Sequence, residues 1–277
     1  MDIFQVLTAQ DWAVLVCGLA ALGSVAGFLA GLLGIGGGIV LVPGLLFLFS
    51  YLGFSSDALI HVCVGTSLAL IVPNGLMSAR AHWKKAAVDF GLVKQIGVGV
   101  LIGVVVGIVV ADVLSGEILQ MVFACAIVVL AAIMVADPSR FQFSHSMPAR
   151  PVPTIAGGVI GSISSLIGIG GGTLSVPFMT TCGVAIHRAI GTASALGVVI
   201  AVPAALGFVL IGLGEAGRPS FSVGYVNVLA WGLILPTSLL SVRAGVWVAH
   251  KAPVDIMRKV FAAFLVVVAV KMWIDVF

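Results

Sequence analysis

Charged side chains are scarce in this sequence. Its 277 residues include 13 lysines and arginines and 10 aspartates and glutamates, so 8% of the chain is charged and 61% is hydrophobic. Soluble globular domains carry about 25% charged residues. The mean hydropathy of +1.28 agrees with this difference. The composition therefore excludes an ordinary soluble protein and indicates an integral membrane protein.

Patterns that would mark other classes of protein are also missing. The alternation of polar and apolar residues that a membrane β-barrel requires is absent. Four cysteines, at positions 17, 63, 125 and 182, form no CxxC pair, so we interpret them as small packed hydrophobic residues. The sequence has no nucleotide-binding loop, haem motif or metal-ligand cluster. We therefore predict a protein that is not an enzyme and that has no cofactor and no metal site.

Apolar runs account for most of the chain. They cover about 12–33, 39–52, 60–79, 91–111, 118–136, 153–167, 173–186, 189–213, 222–248 and 254–274. Most approach the roughly 20 residues of a spanning helix, and several are apolar on every face, which suits helices in lipid. Asp2 and Asp11 stand where a signal peptide would be basic, so we expect the first run to be retained. The runs predict an all-α integral membrane protein.

Two halves of the sequence repeat each other in the same order. The segment GIGGGIVLVP at 34–43 matches GIGGGTLSVP at 168–177, and HVCVGTSLAL at 61–70 matches HRAIGTASAL at 187–196. A weaker match joins 116–130 to 253–267. We predict a first transmembrane repeat at 1–136, a cytoplasmic linker at 137–152 and a second transmembrane repeat at 153–277.

The positions of lysine and arginine predict the orientation of these repeats. If the loop with Arg80, Lys84 and Lys85 faces the cytoplasm, strict alternation leaves Arg218 and Lys271 as the exceptions among 13 basic residues. Both termini then lie outside. The first repeat begins outside and the second inside, so the two repeats are inverted. Inverted-topology repeats are typical of transporters.

Both GIGGG segments interrupt apolar surroundings at matching positions. The runs that follow, 39–52 and 173–186, have 14 residues each, or roughly 21 Å of helix against a membrane core of about 30 Å. We predict a short or re-entrant helix pair broken by glycines in each repeat. Free N–H groups at the start of the second helix of such a pair can bind an anion. The alternative is close helix packing, which we expect of Gly99, Gly103 and Gly107 at four-residue spacing.

Candidate substrate-binding residues are the glycines of the two breaks and the polar residues near them. They are Gly34, Gly36, Gly37, Gly38, Thr66, Ser67, Asn74, Gly168, Gly170, Gly171, Gly172, Thr173, Ser175, Thr192 and Ser194. The first repeat has Ile39 and Leu41 where the second has Thr173 and Ser175, so the two half-sites are chemically unequal. The alternative for the hydroxyl groups is a bond to a carbonyl of their own helix.

Three basic side chains are candidates for gating or proton-linked roles. His61 and His187 occupy matching positions of the two repeats, and histidine titrates near neutral pH. Arg243 is the third candidate. The alternatives are an interfacial position for each histidine and an Arg243 side chain that reaches out to the membrane surface.

These motifs resemble the sulfite exporter TauE/SafE family of transmembrane anion permeases. The resemblance rests on the two GIGGG-x4-P segments, on GTS at 65–67 and on GTAS at 191–194, and it covers 12–274. It implies export of sulfite or a small organosulfonate, such as sulfoacetate, across the bacterial inner membrane. The implied substrate class is a small sulfur oxyanion.

Electrostatics favours the export of an anion. The inside-negative potential contributes about 2.3 kcal/mol per charge per 100 mV, and no Asp or Glu lies in the middle of an apolar run to carry a proton. We expect a facilitated or weakly coupled exporter whose partners are a small anion and the lipid bilayer, without nucleic acid and with a homodimer as an option. The alternatives are a passive anion channel, an importer of another small anion and a membrane subunit of an enzyme assembly.

Overall fold

Helices dominate the computed structural model, which describes residues 8–136, 144, 146–251, 262–263 and 265–270. The helices are α1 (Ala9–Leu33), α2 (Gly38–Tyr51), α3 (Leu59–Trp83), α4 (Phe90–Val113), α5 (Gly116–Ala136), α6 (Val152–Leu166), α7 (Gly172–Thr181), α8 (Ile186–Ile211) and α9 (Val228–Ala249). Residues 265–270 are also helical. The predicted all-α architecture is confirmed for the described residues.

Six helices of this described part are long and apolar enough to cross a membrane: α1, α3, α4, α5, α8 and α9. The predicted run at 222–248 begins differently from the prediction, because an antiparallel hairpin of β1 (Ser222–Val223) and β2 (Val226–Asn227) precedes α9. Gly224 allows its turn with a φ of 56°. Most of the predicted run at 254–274, and half of the linker at 137–152, lies outside the described residues.

Glycines interrupt the helices where the sequence predicts it. In the first repeat α1 ends at Leu33 and α2 begins at Gly38; in the second, α6 ends at Leu166 and α7 begins at Gly172. Gly34 has a φ of 69° and Gly168 a φ of 67°, a left-handed conformation that disfavours any side chain. The glycine-broken helix pairs are therefore confirmed, with second helices of 14 and 10 residues.

Close backbone contacts join α1 to α9 and α4 to α6. Methyl groups built on Gly99, Gly103 and Gly107 of α4 would collide with carbonyl oxygens of α6, and Gly27 and Gly31 of α1 face carbonyl oxygens of α9 in the same way. The prediction that the α4 glycines serve close packing is confirmed. Small residues allow such approach in membranes, where helices gain nothing from leaving an apolar solvent.

The antiparallel pair of α3 and α8 occupies the middle of the molecule. Gly65 lies beside Phe208 near one end of the pair, and Gly75 lies beside Val198 further along. The two helices therefore run in opposite directions. The membrane-length apolar stretch of α3 is 78% buried, the largest share among the six spanning helices. Side chains on α3 thus lie mainly inside the protein.

Candidate functional site

The two glycine breaks contact each other through their backbones at the centre of the described structure. A methyl group built on Gly36 would lie 3.4 Å from the Cα atom of Gly170. One on Gly38 would collide with the carbonyl oxygen of Gly168, and one on Gly172 with that of Gly34. We term residues 34–38 and 168–172 the crossing. Its glycines are required because main chain meets main chain without room for side chains.

Matching glycines of the crossing differ in what surrounds them. Gly37 has a φ of 83°, and a methyl group there would lie 2.6 Å from the carbonyl oxygen of Ala26. Gly171 has a φ of −53°, and its methyl group would meet only the flexible end of Ile200, at 2.7 Å. An alanine is therefore strained at Gly37, whereas at Gly171 it requires a shift of one side chain.

Free amide groups start the helices that follow the crossing. The first amide of α2 with a backbone partner is that of Val40, which donates to Gly37. In α7 the amide of Thr173 donates to Gly170 at 3.4 Å, and that of Ser175 to Gly171 at 2.9 Å. In the described part of the chain the amides of residues 37–39 and 170–172 donate to no protein group. Helix N-termini with free N–H groups attract anions. Both breaks therefore offer hydrogen-bond donors to an anion, and neither contains a negatively charged residue.

Unpartnered polar side chains flank the crossing. Within the described residues, buried atoms without a hydrogen-bond partner include Asn74 Nδ2, Ser164 Oγ, Thr173 Oγ1 and Ser175 Oγ. Each of these four side chains is at most 1% exposed. Ser164 precedes the second break and the two α7 residues follow it, while Asn74 lies one turn beyond Ile71, which contacts the first break. A buried polar group without a partner costs about 1–3 kcal/mol.

Two of the predicted serines already have partners in the core. Ser67 Oγ donates to the carbonyl oxygen of Gly168 at 2.8 Å and so ties α3 to the second break. Ser194 Oγ donates to the carbonyl oxygen of Ile190, 3.0 Å away on its own helix, and also lies 3.0 Å from Ser78 Oγ. The structure therefore brings Ser67 to the crossing and gives it a structural bond there.

Thr66 and Thr192 each accept a hydrogen bond from the residue that caps the start of another helix. Thr66 Oγ1 accepts a hydrogen bond of 2.8 Å from the amide of Asn227, the N-cap of α9. Thr192 Oγ1 accepts one of 3.0 Å from the amide of Asp89, the N-cap of α4. Both hydroxyl groups thus serve the framework in the same way. The sequence repeat shows the pair of threonines but contains no sign of these distant partners.

The predicted gating residues lie within about one helical turn of residues that contact the crossing or the helix end that leads into it: Val64 contacts Gly168, Ile190 contacts Gly34 and Val242 contacts Gly31. His61 begins α3, where its ring stacks on Tyr225 at a centroid distance of 5.0 Å and its Nε2 donates to the carbonyl oxygen of Ala111 at 3.1 Å. His187 is exposed at the start of α8, at the opposite end of the antiparallel pair. Arg243 is exposed on α9. The structure thus places His61 and His187 at opposite ends of the α3–α8 pair and Arg243 on a different helix.

Sequence reasoning missed two histidines, His82 and His250. Both lie near His187, and His250 Nε2 is 3.3 Å from His82 Nδ1. A signal for His82 was present, because Asn74, Ser78 and His82 follow one another at four-residue spacing and so share one face of α3. His250 lies 168 residues from His82, and no local pattern connects them.

A cavity of about 900 Å³ borders one side of α2. Its lining on that helix runs from Val40, one turn after the crossing, to Tyr51 at the helix end. Asp57 and Glu117 also belong to the lining.

In the described part of the chain no group of three or more His, Cys, Asp or Glu residues is arranged to hold a metal ion.

Six membrane-length helices and a centre formed by two broken helix pairs define a class of protein. Discontinuous helices whose N-termini face a central site are typical of secondary membrane transporters. The chain belongs to the sulfite exporter TauE/SafE family, whose sequence profile matches residues 19–272. It is therefore a multi-pass membrane protein of a transporter family.

Several curated relatives are described as probable membrane transporter proteins. One from Haemophilus influenzae is 36% identical over 262 residues, covering 94% of this chain and 98% of the relative. YunE of Bacillus subtilis is 33% identical over 180 residues, covering 58% and 66%. A protein of Methanocaldococcus jannaschii is 25% identical over 249 residues, covering 89% and 91%. No solved structure matches the chain.

Proposed function

We propose that the protein transports a small anion that binds at the crossing. The unpartnered buried groups beside it carry this proposal: Asn74 Nδ2 and the hydroxyl groups of Ser164, Thr173 and Ser175. Inside a membrane, such groups need a partner that the described residues do not supply, and a transported solute or its water can be that partner. The amide nitrogen atoms and the hydroxyl groups can all donate, which suits an anion.

The position of the donors favours one side of the crossing. Thr173 and Ser175 lie in the first turn of α7, beside its free amides, whereas Ile39 and Leu41 stand at the equivalent positions of α2. Gly36 and Gly170 are already in contact, so the anion fits beside the crossing and not between the two breaks. The glycines of residues 170–172, with Thr173, Ser175 and Asn74, form the preferred site.

A small sulfur oxyanion, sulfite or an organosulfonate, is the proposed substrate. The family description supports it, and an oxyanion offers the several acceptor atoms that a ring of neutral donors can satisfy. Export is the proposed direction, because the inside-negative membrane potential expels an anion without a second ion. The bacterial inner membrane is the proposed location; the relative from Haemophilus influenzae is described as a probable membrane transporter protein.

We further propose that the two repeats are inverted. Under the sequence alignment α1 corresponds to α6, α3 to α8 and α4 to α9. The packing of α1 on α9 thus has its counterpart in that of α6 on α4. The equivalent helices α3 and α8 lie side by side and antiparallel. A two-fold axis that relates them must therefore run perpendicular to their length, which is the arrangement of inverted repeats. His61 and His187 then stand at opposite ends of the pathway as proposed gates, with Arg243 on α9 as a further candidate.

Transport in reconstituted vesicles, together with ligand-induced thermal stabilisation, tests this function. Thr173→Val keeps the side-chain shape and removes an unpartnered hydroxyl. We expect binding of the effective anion, chosen from sulfite, thiosulfate, sulfate, sulfonates and short carboxylates, to weaken roughly 2- to 10-fold, because a neutral hydrogen bond contributes about 0.5–1.5 kcal/mol. The ligand-free protein should become more stable, since one of the buried hydroxyl groups without a partner is removed.

Thr180→Val is the matched control on the same helix. Its hydroxyl already donates to the carbonyl oxygens of Val176 and Pro177, both at 3.0 Å, so anion affinity should not change. Wild-type affinity in both Thr173→Val and Ser175→Ala would place the anion site elsewhere. Large single-channel currents, in place of saturable transport with counterflow, would identify an anion channel.

A further inference from the structure

Three histidines meet at the end of the molecule opposite His61. His82 lies in the last turn of α3, His250 follows α9, and His187 stands in the first turn of α8. The ring centroids of His82 and His250 are 5.2 Å apart, and those of His187 and His250 are 5.4 Å apart. We term these residues the histidine triad. His82 is 1% exposed and His187 is exposed, so the triad connects the interior with the surface.

Hydrogen bonds fix where the hydrogens of the triad lie. His82 Nε2 is 3.3 Å from the carbonyl oxygen of Gly31, and a carbonyl oxygen only accepts, so Nε2 carries a hydrogen. In a neutral ring Nδ1 is then an acceptor, and His250 Nε2, 3.3 Å away, donates to it. An added proton fits on His250 Nδ1. A second one, on His82 Nδ1, would set two N–H groups against each other, so the pair binds a first proton much more readily.

Positive charge surrounds the triad. Burial is the main cause that lowers the pKa of His250, and the nearby Lys85 and His187 lower it further. Arg188 pairs with Asp89 at 2.7 Å, and Lys251 lies 3.9 Å from the centroid of the Trp247 ring. Further cations on the adjoining segments are Arg80, Lys84 and Arg243. A proton bound to the triad therefore adds to the positive charge of Lys85, which attracts an anion.

Buried polar side chains connect the triad to the crossing. His82, Ser78 and Asn74 lie on one face of α3 and are 1%, 1% and 0% exposed. Ser78 Oγ lies 3.0 Å from Ser194 Oγ, and Asn74 Oδ1 accepts a hydrogen bond of 3.0 Å from Ser238. Polar groups inside a membrane helix bundle are costly and mark the paths of ions and protons. The row ends at Asn74, beside the proposed anion site.

We infer that the histidine triad is a proton-binding site of the transporter and that a proton bound there promotes passage of the anion between this end and the crossing. The second part rests on the proposed function. A charged His250 supplies the cation that the row of neutral side chains lacks. Repulsion between the charged His250 and Lys85 also weakens the contacts among the rings of the histidine triad, at the end of that row.

Histidine NMR tests proton binding without any transported substrate. The full-length protein with isotope-labelled imidazoles, five in all, is titrated from about pH 8 to about pH 4.5. We expect His82 and His250 to respond together in two separate steps, and His250→Gln to move the step observed at His82. The inference would be overturned if His82 shows no titration step, or a single step that is unchanged in His250→Gln.

Vesicle transport tests the second part with a labelled alkanesulfonate, whose charge is constant in this pH range. We expect the wild-type rate to rise as the pH falls, by up to about tenfold per pH unit. His250→Gln should flatten the profile, and Trp83→Phe, beside His82 but 59% exposed, should retain it. A retained profile in His250→Gln contradicts the role of the triad. Absence of wild-type sulfonate and sulfite transport at every pH contradicts the proposed function and leaves the NMR result to decide proton binding.

Discussion

Stacked rings lie at both ends of the antiparallel α3–α8 pair. At one end Tyr225 stands between His61 and Phe208, with centroid distances of 5.0 and 6.3 Å. At the other end His250 stands between the remaining two members of the histidine triad. The alignment that pairs residues 61 and 187 also pairs His82 with Phe208. The two ends share an arrangement of rings, yet only one of them consists entirely of groups that titrate near neutral pH.

The same contrast extends along the two helices. Under that alignment the polar row of α3 corresponds to an apolar row of α8. Asn74 aligns with Ile200, Ser78 with Ala204 and His82 with Phe208. Both rows are buried. The two rows are thus equally buried, but the row that leads from the crossing towards the histidine triad is polar and its aligned counterpart is apolar.

The largest expected effect is on stability, and it tests whether the two breaks of the crossing are packed equally tightly. Gly38→Ala and Gly172→Ala each place a methyl group against a carbonyl oxygen of the opposite break. We expect each to destabilise the protein by about 3 kcal/mol or more, because backbone cannot move aside as a side chain can. Thermal unfolding and the yield of folded protein in detergent measure this effect.

Gly97→Ala and Gly232→Ala are controls within helices. A methyl group there meets nothing within 4 Å, and alanine is the better helix former by about 1 kcal/mol. Both should be neutral or stabilising. A severe defect in only one of Gly38→Ala and Gly172→Ala would show that the crossing is not equally tight from both sides.

A ring exchange tests the contrast between the two ends. His82→Phe copies the residue of the apolar end, so it should lower anion transport about tenfold or more and remove its pH dependence. Phe208→His should instead destabilise the protein by about 1–3 kcal/mol, because a buried imidazole would replace an apolar ring. Trp83→Phe, at a position 59% exposed, is the neighbouring control. Wild-type transport and pH profile in His82→Phe would remove the functional contrast.

The smallest expected effect is on stability at mildly acidic pH. The pKa of His250 is lowered by burial and by Lys85 and His187, so the folded protein binds this proton less readily than the unfolded chain. The stability is therefore complete above the usual histidine pKa of about 6.5 and falls as the pH drops below it. His250→Gln should reduce that slope in thermal unfolding.

Tyr225→Phe provides the comparison from the opposite end. Burial, followed by the charges of Glu215 and Asp112, raises the pKa of Tyr225, which places its titration above the neutral range. The slope between about pH 8 and pH 5 should match that of the wild type. A slope that changes as much in Tyr225→Phe as in His250→Gln would show that the stacking of rings, and not the proton, determines it.

Composition and repetition predicted most of the fold. Apolar runs marked the helices, since lipid requires each spanning segment to satisfy its own backbone, and the GIGGG segments marked the breaks, since contiguous glycines favour no regular helix. The hairpin at 222–227 was missed, because its valines and aromatic residue continue an apolar run. Only Gly224 and the N-cap residue Asn227 hinted at a turn before α9.

The candidate site was less predictable, because hydroxyl groups look alike in a sequence. Thr66, Thr192 and Thr173 were equal candidates, but the first two accept hydrogen bonds from the N-caps of α9 and α4, whereas the third has no partner. The distinction depends on residues more than 100 positions away. His250 likewise meets His82 only because α3 and α9 pack together, so long-range packing decided both the site and the triad.

The crossing is held by contacts between main chains, with Gly36 facing Gly170 near its middle. The contact between these two glycines involves no side chains of their own, so it resists a slight turn of one break against the other less than interlocked side chains would. The antiparallel helices α3 and α8 both pass this point, where Ile71 contacts Gly36 and Ile190 contacts Gly34. A turn that brings one end of the pair together therefore spreads the other. The contact has the geometry of a fulcrum, about which the histidine end and the tyrosine end would open in alternation.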